Sequence, residues 1–419
     1  MKLLKLIKKY SEQILIAFIF ISAFFVRFYN FGNRVNFGPE QARSLVVSAS
    51  YLTKFSLLGQ EYFRVTSLGH KLFASAYFNY SLTPLILLFK YQPLPITFYF
   101  SLLNILTGFV LFLLIKKMLG KEVAFVSLVL FLFNRYMIYH SLFIWILNYL
   151  PLIGVLTVYW LFKLKKTKKP LFVLLLGALC GVGFGLEYFY VITAFLILGY
   201  ILFISKKKVQ SFLIFSSGLI LGNLPMLAFD IKHDFYHVRT FFQYILDTLN
   251  NPGQSSITYY HFLNFWPIVL ILLAYLLVKY LKDKKNLIYV FLIIYIFINL
   301  NNRLVSFNSA VGMPQGLTWN GINLASRTIV NDDPVNFNVV SLFDFDRRGY
   351  ILRYPLEFIY KKVPLGVEDY PNASTLYVFG PENYDFDSQD VWEIDSFKAN
   401  KIEIFSKVQD GYYIFKLTK

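Results

Sequence analysis

One carboxylate in the amino-terminal part of the sequence stands where a side chain can do acid–base chemistry. Glu40 lies just beyond the first apolar run, and Arg43 follows three residues later, which places both on one face if the segment is helical. A positioned carboxylate can remove a proton from an attacking hydroxyl group, and an arginine can stabilise an anionic leaving group. The same residues also fit a purely structural role, because Pro39 and Glu40 suit the first turn of a helix.

Positively charged side chains are frequent in the same segment, residues 31–94. Arginine and lysine form charge-assisted hydrogen bonds with phosphate oxygens, so these residues are candidates for binding a phosphate group. The phosphate-binding candidates are Arg34, Arg43, Arg64 and Lys71. Snorkelling of long side chains at a membrane surface explains them equally well. His70, next to Lys71, is a candidate for substrate binding, with an ordinary surface position as the simpler interpretation.

Further candidates lie in two later polar segments. Glu187 follows an apolar run, and an acidic residue at membrane depth indicates a functional site unless it belongs to a short turn. Residues 230–239 contribute Asp230, His233 and Arg239 as candidates for substrate binding. The four-residue spacings of Asp and His in this segment could hold a divalent cation. Binding of a headgroup or acceptor, or plain salt bridges, explains them better, so no cofactor is firmly predicted.

The composition indicates what kind of protein must position these residues. Of 419 residues, 57% are apolar and 16% are charged, whereas soluble proteins carry about 25% charged residues. Together with a mean hydropathy of +0.53, this argues against a soluble enzyme and a disordered chain. The single cysteine, Cys180, excludes an intrachain disulfide. Much of the net charge of +17 lies between apolar runs, which is typical of membrane topology signals and not of nucleic-acid binding.

Nine segments are long and apolar enough to cross a membrane. They are residues 12–30, 95–115, 122–141, 143–162, 171–187, 188–205, 210–229, 262–281 and 286–301. With a cytoplasmic amino terminus, nine spans place every lysine-rich stretch on the cytoplasmic side of the plasma (inner) membrane. Residues 31–94 then form a long outer loop, in which 41–56 predict a surface helix. Residues 72–90 predict an interfacial or re-entrant segment in preference to a tenth span.

The composition changes after residue 301. Strand-like runs occur at Asn338–Phe345, Thr375–Phe379, Lys401–Phe405 and Tyr412–Leu417, and a helix-like stretch, Arg347–Lys362, follows the first of them. The sequence therefore predicts an α-helical polytopic membrane domain of about nine spans, residues 1–301. A small extracytoplasmic domain of α/β or α+β type, residues 302–419, follows it.

The segment around Glu40 resembles a known family. Arg27-Phe28-Tyr29-Asn30-Phe31-Gly32, a spacer, and Phe37-Gly38-Pro39-Glu40-Gln41-Ala42-Arg43 are similar to the start of bacterial GT-C glycosyltransferases. The resemblance is greatest to the protein-mannosyltransferase and aminoarabinose-transferase relatives, and it continues through Thr83-Pro84-Leu85 and residues 229–235. The family residue at the position of Glu40 is usually Asp, so this chain departs from the pattern by one methylene group.

The resemblance implies a function. Such an enzyme transfers a sugar from a polyprenyl-phosphate donor, within the membrane lipid, to an acceptor on the outer side, with inversion and with Glu40 as the general base. The acceptor is not indicated, and no nucleic acid is expected as a partner. Two alternatives remain open: a multi-span transporter or lipid flippase, which would have polar residues within its spans and repeated halves, and a catalytically inactive relative that acts as a scaffold.

The predicted topology can be tested with a thiol reagent that does not cross membranes. A Ser374→Cys variant, in a Cys180→Ala background, should react with the reagent in intact cells because residue 374 is predicted to lie outside. Reaction only after lysis would contradict the nine-span arrangement.

Overall fold

The apolar segments of the chain form helices. The computed structural model describes residues 2–250, 258–314, 316–343, 346–386 and 391–419. Of residues 2–11 and 63–64 only the backbone is described. The α-helices of the amino-terminal part begin with α1 (Lys2–Phe28), α2 (Phe31–Arg34), α3 (Pro39–Ser50), α4 (Tyr77–Leu88), α5 (Pro93–Leu119), α6 (Lys121–Leu132), α7 (Arg135–His140), α8 (Leu150–Thr167) and α9 (Pro170–Leu186). They continue with α10 (Tyr190–Ile204), α11 (Lys208–Gly222), α12 (Leu224–Lys232), α13 (Tyr236–Asn250), α14 (Trp266–Tyr280) and α15 (Lys285–Leu300). Short 3₁₀ helices at Ile146–Tyr149 and Tyr259–Phe262 precede α8 and α14.

A membrane location fits these apolar helices, although the count of nine spans stays a prediction. By length and composition, Pro93–Leu119 and Ile146–Thr167 can each cross a membrane alone, and the pair α11–α12, bent by 82°, can make a third span. Four shorter apolar helices, α9, α10, α14 and α15, are below the length of a complete span. The predicted span 122–141 is interrupted, because the side chain of Asn134 accepts hydrogen bonds from the backbone and starts α7 as a new helix.

The segment between α1 and α5 is folded and carries both helix and sheet. The helix predicted over 41–56 is present as α3, which starts at Pro39 after Gly38 and ends at Ser50, while its position on the membrane surface stays a prediction. An antiparallel hairpin, β1 (Leu58–Val65) and β2 (Lys71–Ser75), follows α3 and was not predicted from the sequence. The stretch 72–90 divides between β2 and the helix α4, whose Pro84 lies inside it. The hairpin lies beside α3 and thereby sets the position of the polar residues on both elements.

Glycines allow the closest helix contact, that between α9 and α11. A Cβ atom built on Gly181 would lie 2.3 Å from the carbonyl oxygen of Leu219, and one on Gly222 would lie 2.0 Å from that of Ala178. These distances are far below van der Waals contact, so only glycine lets the two backbones approach so closely. Gly181 and Gly222 therefore allow the close packing of α9 on α11.

The carboxyl-terminal part contains the predicted sheet. Its elements are α16 (Trp319–Asn331), β3 (Phe337–Ser341), α17 (Tyr350–Tyr354), β4 (Thr375–Pro381), α18 (Trp392–Asp395), β5 (Lys401–Gln409) and β6 (Tyr412–Thr418). The strand order is β3-β4-β6-β5, with β3 and β4 parallel and the other pairs antiparallel. All four predicted strands are confirmed, whereas α16 was not predicted. Helix α17 packs on α3, which joins the sheet region to the segment that carries Glu40.

The contact between α9 and α11 predicts opposite effects of one substitution at two sites. Alanine favours a helix over glycine by about 1 kcal/mol, so Gly199→Ala, where the new Cβ meets nothing within 4 Å, should be neutral or slightly stabilising. Gly181→Ala should instead destabilise by about 1–3 kcal/mol, because the helices must separate. Thermal unfolding of both purified variants in one detergent measures the difference. Equal melting temperatures would contradict the close contact.

Candidate active site

A cavity of about 350 Å³ lies between the hairpin, α3 and the adjoining helix ends. Five separate parts of the chain form its wall: α3, the hairpin, the segment before α8, the turn between α9 and α10, and the 3₁₀ helix before α14. The lining residues are Glu40, Ser44, Gln60, Glu61, Tyr62, Ala74, Trp145, Ile146, Leu147, Glu187, Tyr260 and His261. Two of the predicted site residues, Glu40 and Glu187, are therefore brought together although 147 positions separate them in the sequence.

Glu40 is presented to this cavity from the first turn of α3. The helix begins at Pro39, and the side chain of Gln41 accepts a hydrogen bond from the backbone N–H of Gly38, which fixes the start of the helix. The Glu40 carboxylate is exposed and accepts a hydrogen bond of 2.8 Å from the indole Nε1 of Trp145. An exposed carboxylate held by an oriented donor is placed to accept a proton.

The indole that holds Glu40 is itself fixed by aromatic contacts. The ring of His140 stacks on Trp145 at 5.1 Å between centroids, and Tyr260 meets it edge-on at 5.0 Å. Such contacts stabilise one orientation of the indole. The N–H therefore points at Glu40 because the surrounding rings determine its direction.

Glu187 occupies a different environment on the same wall. It is 4% exposed, and one carboxylate oxygen accepts the backbone N–H of Phe189 at 3.1 Å. The other oxygen lies 3.1 Å from Nδ1 of His261, which is ion-pair distance, although the ring is not oriented for a hydrogen bond. Both oxygens of Glu187 thus have neighbours within the protein and the residue is buried, whereas Glu40 is exposed.

The pKa of Tyr62 on β1 depends on its burial and on the carboxylates of Glu187 and Glu40. Burial raises the pKa of its phenol well above the usual value, and the negative charges of Glu187 and Glu40 raise it further. The hydroxyl group therefore stays protonated and can donate a hydrogen bond within the cavity at any physiological pH.

The cations beside the cavity meet on one carboxylate, that of Glu61. Arg43 Nη2 lies 2.9 Å from one Glu61 oxygen and also donates to the Glu61 carbonyl at 3.0 Å. Lys71 Nζ lies 3.1 Å from the other oxygen. The sequence spacing places Arg43 on the same helix face as Glu40, and the structure pairs it with Glu61 on β1. Burial lowers the pKa of Arg43, and the charge of Glu61 opposes that effect.

The carboxyl-terminal part contributes charge close to the same cluster. Arg348 forms a bidentate ion pair with Asp346, in which Nε donates to Oδ1 at 2.7 Å and Nη2 donates to Oδ2 at 2.9 Å. The charges of both residues act on Arg43; the hydrogen bond to Asp346 raises the pKa of Arg348, and Glu61 raises it further. The sheet region therefore borders the segment that carries Glu40, as the contact of α17 with α3 requires.

Arg34 lies elsewhere. Its guanidinium donates to the carbonyl oxygens of Val26 at 2.7 Å and of Tyr29 at 3.1 Å, and also to that of Ser306. It is 1% exposed, so it anchors the end of α1 to the segment after α15 and does not line the cavity. The side chain of Arg64 lies outside the described residues.

The other sequence candidates surround α12 and α13 and do not line the cavity. Asp230 is buried and accepts the backbone N–H of His237 at 2.7 Å, and the exposed His233 stacks on Phe229 at 3.9 Å. His70 and Arg239 are exposed. Within the described part of the chain, no group of three or more His, Cys, Asp and Glu side chains is arranged to hold a metal ion.

Sequence reasoning missed Trp145, Tyr62 and His261. Residue 145 was assigned to a continuous span, whereas the helix begins only after it. Tyr62 and His261 come from segments that the sequence treats as loops. A tryptophan at the start of an apolar run is typical of a membrane interface, and this signal could have placed Trp145 beside Glu40.

No protein-family model and no curated protein sequence matches the chain. Solved structures do. The crystal structure of ArnT from Cupriavidus metallidurans matches with a TM-score of 0.56 in the apo state, at 10% identity, over 97% of this chain and 98% of that chain. The same protein bound to undecaprenyl phosphate matches with a TM-score of 0.52, at 9% identity, over the same shares of both chains. An oligosaccharyltransferase from Archaeoglobus fulgidus, in complex with Zn and sulfate, matches with a TM-score of 0.46, at 9% identity, over 86% of this chain and 67% of that chain.

This chain has the fold of ArnT. The resemblance to GT-C proteins of the aminoarabinose-transferase type is thereby confirmed for the architecture, over nearly the whole chain. The identity of about one residue in ten leaves the individual site residues to be argued from the geometry of this cavity.

Removal of Glu61 tests the ion pair beside the cavity. Glu61→Ala removes the ion pair and the charge that faces the buried guanidinium of Arg43, and we expect a loss of about 1–3 kcal/mol in the free energy of unfolding. Glu403→Ala is the matched control, because its pair with Lys401 lies on an exposed strand and should contribute less than about 1 kcal/mol. Thermal unfolding of both variants gives the comparison. Similar small losses would show that Arg43 does not depend on Glu61.

Proposed function

We propose that the protein is an integral-membrane glycosyltransferase of the GT-C type. It transfers a sugar from a polyprenyl-phosphate-linked donor to an extracytoplasmic acceptor, a cell-surface glycan, lipid or protein, with inversion at the anomeric carbon. The observation that carries the proposal is the accessible carboxylate of Glu40, held by the Trp145 N–H in a cavity next to a cationic cluster. The ArnT fold supports it, since one ArnT structure is bound to undecaprenyl phosphate.

Glu40 acts as the general base in this proposal. As the acceptor hydroxyl oxygen attacks the anomeric carbon, its proton passes to the Glu40 carboxylate and a new C–O bond forms. The bond from the anomeric carbon to the phosphate oxygen breaks, and its electron pair leaves with the polyprenyl phosphate. Attack and departure occur on opposite faces of the sugar, so one displacement inverts the configuration.

Glu40 suits this role better than Glu187. The oxygens of Glu187 already face the Phe189 N–H and the His261 ring, and the residue is almost completely buried. A base needs an accessible lone pair within reach of the proton that it takes. Glu187 and the neutral phenol of Tyr62 are better placed to bind sugar or acceptor hydroxyl groups.

The charge distribution supports a position of the donor phosphate at the edge of the cavity, beside Arg43 and Lys71. Glu40 and Glu187 place negative charge inside the cavity, so a phosphate deep inside it would be repelled. Beside the cavity, Arg43 and Lys71 share the single carboxylate of Glu61, which leaves an excess of positive charge there. Lys71 is 48% exposed and can turn from Glu61 to a phosphate oxygen. The sugar then enters the cavity while the leaving phosphate stays at its cationic edge.

Replacement of Glu40 tests the base. Glu40→Gln keeps the size of the side chain but removes the proton acceptor, so transfer from a radiolabelled polyprenyl-phosphate sugar should fall by about 10²–10⁴. Glu40→Asp should retain part of the activity. Glu187→Gln should lower the rate less than Glu40→Gln, and Glu403→Gln, far from the cavity, should leave it unchanged.

Three results would change the assignment. Near wild-type transfer by Glu40→Gln, with strong loss in Glu187→Gln, would move the base to Glu187. Loss in neither variant would remove both carboxylates from the mechanism. Donor binding without turnover in the wild-type protein would favour an inactive scaffold.

Lys71→Gln tests the phosphate position. Loss of one charge-assisted hydrogen bond to the donor should raise KM for the donor about tenfold and change kcat less. Lys401→Gln, which removes an exposed lysine on β5, is the control. An unchanged KM in Lys71→Gln would place the donor phosphate elsewhere.

A further inference from the structure

A second cavity lies near the end of α14, the helix whose preceding 3₁₀ turn borders the first cavity. Its volume is also about 350 Å³, which is within the usual range for a small-ligand site. Five helices contribute to it: α1, the end of α5, the start of α6, the end of α14 and the start of α15. These helix ends adjoin the lysine-rich stretches of the chain, so the cavity is remote from Glu40 and independent of the proposed transfer reaction.

Charged groups of both signs border this cavity. Lys121 forms an ion pair with Glu12, and Lys285 forms one with Glu122, so the pairs join α6 to α1 on one side and to α15 on the other. Lys116 Nζ lies 3.9 Å from the Glu12 carboxylate. The side chains are between 31% and 57% exposed, so a ligand can reach them. One buried oxygen of Glu12 accepts no hydrogen bond from any described residue.

The inner wall is apolar. Side chains from α1, α5 and α6, among them Leu15, Phe112 and Phe125, lie behind the charged border, and Val278 and Ile288 complete the wall from α14 and α15. A cavity that is apolar inside and carries positive and negative side chains at its border fits an amphiphile whose headgroup has both signs of charge. The lining carries two acids and two lysines, with Lys116 beside them, so the border offers carboxylate oxygens to an ammonium group as well as lysine ammonium groups to a phosphate.

We propose that this cavity binds a zwitterionic glycerophospholipid with a primary amine, phosphatidylethanolamine, from the leaflet at the lysine-rich helix ends. The ammonium group donates hydrogen bonds to Glu12 and Glu122, and the phosphate accepts them from Lys121 and Lys285. The first part of the acyl chains lies along the apolar wall. The bound lipid connects α1, α6 and α15, which have few contacts with one another.

Lipid retention by the full-length protein tests this site. Purified protein is exposed to equal amounts of phosphatidylethanolamine, phosphatidylcholine and phosphatidylglycerol, and the retained lipid is measured by native mass spectrometry. We expect phosphatidylethanolamine to be retained about tenfold over phosphatidylcholine, whose quaternary ammonium has no N–H to donate. Addition of phosphatidylethanolamine should also raise the melting temperature. Equal retention of the two lipids, or preference for phosphatidylglycerol, would overturn the proposal.

Two variants locate the preference in this cavity. Glu12→Gln removes one acceptor of the ammonium, and the double variant Glu122→Gln with Lys285→Gln removes a complete ion pair without leaving an unpaired charge. Both should lose the preference, whereas Lys117→Gln, an exposed residue outside the lining, should keep it. If the variants keep the wild-type preference, the lipid binds elsewhere. A melting temperature near that of the wild type in lipid-free detergent shows that each variant is folded.

Discussion

The buried contact between Arg43 and Glu61 is the constraint on which the candidate active site depends. Arg43 is 3% exposed, and its guanidinium holds both the side chain and the backbone carbonyl of Glu61. Because a buried charge without a partner is costly, this contact keeps the hairpin against α3. Glu40 projects from one of these elements and Tyr62 from the other, so the ion pair also sets how the two side chains face each other across the cavity.

The cavity gives its carboxylates different environments. Glu187 is enclosed by a backbone N–H and an imidazole, whereas Glu40 has the Trp145 N–H and access to the cavity. Two acids in one site can thus serve separate purposes, one as a fixed binding group and the other as a proton acceptor. The cations are kept outside this space by Glu61. The arrangement separates the region suited to a neutral sugar from the region suited to an anionic leaving group.

The sequence predicted those parts of the molecule that local pattern determines. Glu40 after a helix-starting Pro39, and the four strands near the carboxyl terminus, follow from spacing and composition. The partner of Arg43 could not be predicted, because Glu61 lies on a hairpin that only tertiary contacts define. The same limit applies to Asp230, a sequence candidate for substrate binding whose carboxylate accepts the backbone N–H of His237, and to Arg34, whose guanidinium donates to backbone carbonyl oxygens. Spacing identifies side chains capable of chemistry, while burial and partners decide which of them are available.

The most direct test of the account is a structure of this protein with polyprenyl phosphate bound. The account predicts that the phosphate lies at the cationic edge, within hydrogen-bond distance of Lys71 or Arg43, and that the path from it into the cavity leads to Glu40. A phosphate bound beside α12 and α13, near His233 and Arg239, with the Glu40 cavity separate from it, would contradict the assignment of this cavity as the site of transfer.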